Sequence, residues 1–118
     1  MYNLFLDDVR DPNRFLNDVR AWEIVRNHNE FVRIIQQRGL PRFISFDHDL
    51  ADEHYLNEGK EFTEKTGYDC AKWLIEFCMR TNQPLPEFQV HSMNPVGRLN
   101  IISLLTSYKK SEQETDYE

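Results

Sequence analysis

The most constraining feature of this chain is a repeated junction, in which a short apolar run stops abruptly at residues able to do chemistry. Leu4-Phe5-Leu6 runs into Asp7-Asp8, Arg42-Phe43-Ile44-Ser45-Phe46 into Asp47-His48-Asp49, and Phe88-Gln89-Val90 into His91-Ser92. Short runs rich in Phe, Ile and Val and bounded by polar residues are strand-like. Helical patterns lie between them. Asn29 stands where it would cap a helix carrying Phe31, Val32, Ile34 and Ile35, with Gly39 and Pro41 ending it. Thr66-Gly67-Tyr68-Asp69 fits a capping box, and Tyr68, Ala71, Leu74, Ile75, Cys78 and Met79 follow as one stripe. Asn94-Pro95 reads as a cap with proline at the first helical position, opening a helix with Leu99, Ile101, Ile102, Leu104 and Leu105. Residues 21–25, with Trp22 and Ile24 two apart, make a weaker strand, and Asp11-Pro12-Asn13 marks a turn.

This alternation predicts an α/β fold: a three-layer α/β/α sandwich around a short, mainly parallel sheet of about four strands, covered on both faces. The 118 residues suit one domain over 1–108, with a polar C-terminal tail, 109–118, expected to fray. Residues 51–65 are polar and aperiodic, and a loop of that length is often functional. Tyr55 and Phe62 in it would stack on a base if it acts as a lid, and His54 is its weak proton-transfer candidate. Cys70 and Cys78 would sit about 12 Å apart along a helix, beyond the roughly 7 Å that a disulfide spans. They are expected as core thiols in a reducing compartment. No apolar run approaches the roughly 18 residues of a membrane helix and no signal peptide opens the chain, so the expectation is a cytoplasmic protein without a membrane partner. Fourteen Lys and Arg against 20 Asp and Glu give a net charge of −6, which disfavours a broad nucleic-acid surface. A small phosphorylated ligand or an RNA terminus remains compatible, because one Arg, a helix N-terminus or a bound cation suffices to hold it.

In parallel sheets ligands bind at the carboxyl ends of the strands, which would gather the three junctions on one rim. Asp7, Asp8, Asp47 and Asp49 would repel one another there, and a hard divalent cation, Mg2+ or Mn2+, resolves that conflict. Solvated loop acids are the plainer reading. His48 and His91 have the side chain best suited to moving protons near neutral pH, whereas His28 reads as a surface residue. Arg10 fits either a bidentate grip on phosphate or a pairing with a neighbouring acid. Ser92, Asn94 and the amides opening the last helix fit an anion site, or simple capping. Gly97 permits either close approach of a ligand or helix packing. Ser92 is not expected to act as a nucleophile.

At these residues the chain resembles a known group. Leu4-Phe5-Leu6-Asp7-Asp8-Val9-Arg10-Asp11-Pro12, the run SFDHDL, Thr66-Gly67 and the run HSMNPVGRLN resemble the cyclic-phosphate-processing receiver-like family, over roughly residues 2–105. The resemblance implies a receiver (flavodoxin)-like fold and processing of cyclic phosphate ends or cyclic nucleotides, in RNA repair or defence. It implies that Asp7 and Asp8 bind metal, that Asp47 matches the phosphate-accepting acid of receivers, and that Ser92 matches their hydroxyl after strand four. The lysine that receivers carry after a fifth strand has no counterpart: Lys109 and Lys110 lie at the far end of the last helix. Phosphorelay signalling is thereby disfavoured, and His48, His91 and Asn94 exceed what a phosphate switch requires. The expectation is metal-assisted, phosphodiesterase-like processing of a cyclic phosphate, either a 2′,3′-cyclic RNA end or a cyclic nucleotide. His91, His48 and Asp47 would be catalytic, Arg10, Ser92, Asn94 and Asn100 would hold phosphate, and Asp7, Asp8, Asp47 and Asp49 would hold Mg2+ or Mn2+. The alternatives are a non-catalytic cyclic nucleotide- or phosphate-binding module and a degenerate receiver signalling domain.

Overall fold

A computed structural model describes residues 2–10, 12, 21–50 and 65–115 of the chain. The described residues form four strands, β1 (Asn3–Leu6), β2 (Trp22–Val25), β3 (Phe43–Phe46) and β4 (Glu87–Val90), and three helices, α1 (His28–Arg38), α2 (Gly67–Thr81) and α3 (Pro95–Thr115), with one helix following each of β2, β3 and β4. All strands pair in parallel in the order β2-β1-β3-β4. The parallel α/β architecture is the receiver-like one expected from the sequence.

Each element forms for a local reason. Asn27, not Asn29, caps α1: its side chain accepts the Glu30 amide, and Glu30 accepts from the Arg26 amide in return. The helix therefore starts slightly earlier than the apolar stripe suggests. Gly39 ends it at a φ of 85°, where a β-carbon would be strained. The Thr66–Asp69 capping box opens α2, and Asn82 in the left-handed region closes it.

Strand alternation divides the sheet into two faces. Leu4, Leu6, Ile44, Phe46 and Val90 pack with Phe31 and Ile35 of α1, Ala71, Leu74 and Cys78 of α2, and Ile101 and Leu105 of α3 in one core. All three described helices thus serve the same face. The opposite face carries Phe5, Trp22, Phe43 and Ser45, with Phe5 and Ser45 fully buried. Most residues between β1 and β2, 11 and 13–20, lie outside the described set. They include the turn residues Asp11 and Asn13, and most of the 51–65 loop, including His54, Tyr55 and Phe62, lies outside it as well.

Two further expectations are corrected. Leu99 is 59% exposed, because only Ile101 and Leu105 of its helix point fully into the core. The chain does not fray at Lys109: α3 continues to Thr115, tied down by Lys109 to Glu87 and by Glu112 accepting the Leu85 amide. Those partners sit at the start of β4, a contact invisible to helical periodicity. Cys70 and Cys78 are both buried and are not joined in a disulfide, as expected. His28 is half-buried rather than on the surface, and burial lowers its pKa. No described helix is long and apolar enough to cross a membrane.

Candidate functional site

The register builds the site. Leu6 of β1 pairs with Phe46 of β3, which pairs with Val90 of β4. The pairing extends one residue further, with the Asp47 amide donating to Leu6 and the His91 amide to Phe46. Asp7, Asp47 and His91 are therefore the same step on three adjacent strands, and share the Phe5 face by alternation. Their candidate ligand atoms lie within 4.8 Å of one another, and all three residues are buried. β1 and β3 flank the point where the connection direction reverses, which is where open α/β sheets bind ligands.

Asp7 is completely enclosed. One carboxylate oxygen accepts the amides of Val9 and Arg10 at 2.9 and 2.8 Å, and the other lies 2.9 Å from His91 Nε2. Burial by itself would raise its pKa, but the hydrogen bonds from His91, Arg10 and Val9 prevail and hold it at about 2. Asp47 has the opposite fate. Burial, and then the charge of Asp7, push its carboxyl up to about 6 against the pull of His91. Among the described residues no side-chain hydrogen bond reaches it. Two carboxylates so placed fit a divalent cation, since oxygen ligands are what Mg2+ and Mn2+ take and the cation removes the repulsion.

His91 is held on every side. Its ring stacks on Phe5 with centroids 4.5 Å apart and planes 4° from parallel. Nδ1 lies 2.7 Å from Ser45 Oγ, which also accepts from the Gln89 side chain at 3.0 Å. Ser45 and Gln89 were not singled out from sequence. The available signal was a polar residue inside an otherwise apolar β3 and, one strand over, the alternation of polar Glu87 and Gln89 with Phe88 and Val90 in β4. Arg26 was likewise missed: it donates to the backbone carbonyls of Asp7 and Arg10, fixing the turn after β1.

The other expected residues form a second, outer group. Asp49 is exposed; it meets His48 Nδ1 at 2.8 Å and accepts from Asn94 Nδ2 at 3.4 Å. His48 keeps 18% of its side chain exposed, and its ring lies against Gly97. Gly97 is thus a close-approach position, where a β-carbon would stand 2.4 Å from the imidazole. Asn94 Oδ1 accepts the Gly97 amide, Ser92 Oγ accepts the Asn94 amide, and Pro95 has no N–H. The N-terminus of α3 is consequently engaged mainly in its own capping. Arg10 is partly exposed, with its guanidinium 3.9 Å from Asp7. Asn100 is exposed on the second turn of α3, and no contact joins it to the acids among the described residues. Asp8 is half-buried and its charge adds to the upward push on Asp47, but neither Asp8 nor Asp49 belongs to the 4.8 Å group.

A family model described as the cyclic-phosphate processing receiver domain matches residues 2–107. No curated protein and no solved structure gives a significant match.

Proposed function

Because the chain belongs to the cyclic-phosphate processing receiver domain family, we propose that it opens the ring of a cyclic phosphate, on a 2′,3′-cyclic RNA end or a cyclic nucleotide, as a metal-assisted phosphodiesterase. The observation that carries this reading is the buried Asp7–Asp47–His91 group at the ends of three adjacent strands. Asp7 and Asp47 would hold Mg2+ or Mn2+. When bound, the cation polarises the phosphorus–oxygen bonds and offsets the negative charge that builds on the phosphoryl oxygens.

The chain's own groups supply the proton chemistry. Ring opening adds water to phosphorus, breaks one ring ester bond and delivers a proton to the departing oxygen. Asp49 accepts from His48 Nδ1 and so leaves the lone pair on Nε2, which has no partner among the described residues. An imidazole oriented by a carboxylate in this manner takes a proton from water and returns it to a leaving group. His48 is the better shuttle of the two histidines, since the His91 side chain is only 3% exposed and both its nitrogens are engaged. Arg10 would meet a non-bridging oxygen.

The test is an assay of purified protein with 2′,3′-cyclic mononucleotides, a 2′,3′-cyclic RNA end, 3′,5′-cyclic nucleotides and cyclic dinucleotides, each with Mg2+, Mn2+ or chelator. Phosphomonoester product that disappears with chelator and in Asp47→Asn, and falls strongly in His48→Ala, supports the reading. Absence of any turnover, with ligand binding untouched in Asp7→Asn, refutes it. Binding that survives His48→Ala without product would favour the non-catalytic binding module.

A further inference from the structure

We infer that Gln89 and Ser45 fix His91 as its Nε2–H tautomer, which makes His91 a positioning residue for the Asp7 carboxylate and not a ligand of the cation. The argument follows hydrogen-bond polarity along one chain of contacts. The Gln89 amide nitrogen only donates, so Ser45 Oγ is its acceptor at 3.0 Å. The hydroxyl proton of Ser45 then has its acceptor in His91 Nδ1, 2.7 Å away. With the Nδ1 lone pair used, the ring proton sits on Nε2, which donates to Asp7 Oδ2 at 2.9 Å.

Ser45 and Asp7 are fully buried, His91 is 9% exposed with its ring clamped flat on Phe5, and Gln89 at the outer end is half-buried. A misdirected proton in such a chain would leave a buried donor or acceptor unsatisfied, which the folded state disfavours. The consequence reaches Asp7. Its Oδ1 is saturated by two amides, and His91 fixes its Oδ2, so the whole carboxylate is oriented before any ligand arrives. Second partners that orient a ligand in this way tune it strongly. His91 belongs to the three-residue group by distance, yet it presents a proton rather than a lone pair to it.

The tautomer assignment stands on geometry alone; only its consequence for the cation rests on the function proposed above. Long-range nitrogen–proton correlation spectra of the metal-free protein at pH 7 should show His91 with an N–H-type Nε2 and an imine-type Nδ1. An imine-type Nε2, or two N–H-type nitrogens, overturns the inference. Gln89→Glu replaces the donor by an acceptor, so the Ser45 proton turns toward it and Ser45 Oγ must accept from Nδ1. Both His91 nitrogens should then become N–H type, and an unchanged imine-type Nδ1 in that variant overturns the role given to Gln89. With Mn2+ added to His48→Gln, electron spin-echo spectra should show no imidazole nitrogen coupled to the metal, and such a coupling sinks the positioning role. Failure of Mn2+ to bind would refute the proposed function and leave the tautomer result standing.

Discussion

Asp47→Asn should stabilise the metal-free protein, by an amount that depends on pH in a defined direction. Burial, and then Asp7, raise the Asp47 carboxyl from an ordinary 3.8 to about 6. At about 1.4 kcal/mol per pH unit, keeping it ionised in the folded state costs about 3 kcal/mol above pH 7. The sign follows from the raised folded value. The favourable contribution of protonated Asp47 is fully present below 3.8 and is lost as pH rises through about 6. The amide that replaces it stays neutral at every pH, so the variant lacks that loss. Urea denaturation with chelator present should give a stability difference, variant minus wild type, that grows by about 3 kcal/mol between pH 4 and pH 8. Its absolute offset also carries the different contacts of an amide, so the slope is the quantity to read. Saturating Mg2+ or Mn2+ should largely cancel the difference at pH 8, since ligand at a hundred times Kd stabilises the wild type by about 2.7 kcal/mol and the variant loses the ligand. A difference flat to within about 1 kcal/mol across this pH range would refute the account of a carboxyl raised by burial and by the charge of Asp7.

Asp7 gives the opposite acid limb. Its pKa is depressed to about 2, so its stabilisation is present above 3.8 and lost as pH falls through about 2. Asp7→Asn should remove about 2 kcal/mol of that dependence on the acid side of a denaturation series, and should lower the pKa of Asp47 in a carboxyl-carbon titration. Gly67→Ala should destabilise by about 3 kcal/mol or more in thermal or urea melts, because its β-carbon would stand 1.8 Å from the Asp47 carbonyl oxygen and the backbone there must shift. A mild effect would mean that the junction of α2 with the end of β3 is looser than described. Gly97→Ala meets the His48 ring instead of backbone. It should lower kcat at least tenfold while KM and melting temperature change little, and an unchanged kcat would remove His48 from proton transfer.

Several elements were legible because their causes are local. The capping box at Thr66, the Asn94–Pro95 helix start and the four strands are written within a few residues of where they occur. So was the rule that acids ending parallel strands gather at one edge, which brought Asp7 and Asp47 together. The end of α3 was misread because Lys109 and Glu112 find partners more than twenty residues away.

What the sequence determined by itself was the kind of fold and the rim that carries its chemistry, since alternation, capping and strand-end composition act over a few residues. Which acids and which histidine belong to the buried group was decided only by tertiary structure. Pairing of Leu6 with Phe46 and Phe46 with Val90 sets the row in which Asp7, Asp47 and His91 stand. A slip of one residue would turn those side chains to the other face. Ser45 and Gln89, unremarkable in a strand, acquire their roles because the same register sets them on the face where the His91 ring lies. Burial then gives chemically equal carboxyls different proton affinities: enclosure with hydrogen bonds holds Asp7 ionised, and enclosure without them raises Asp47.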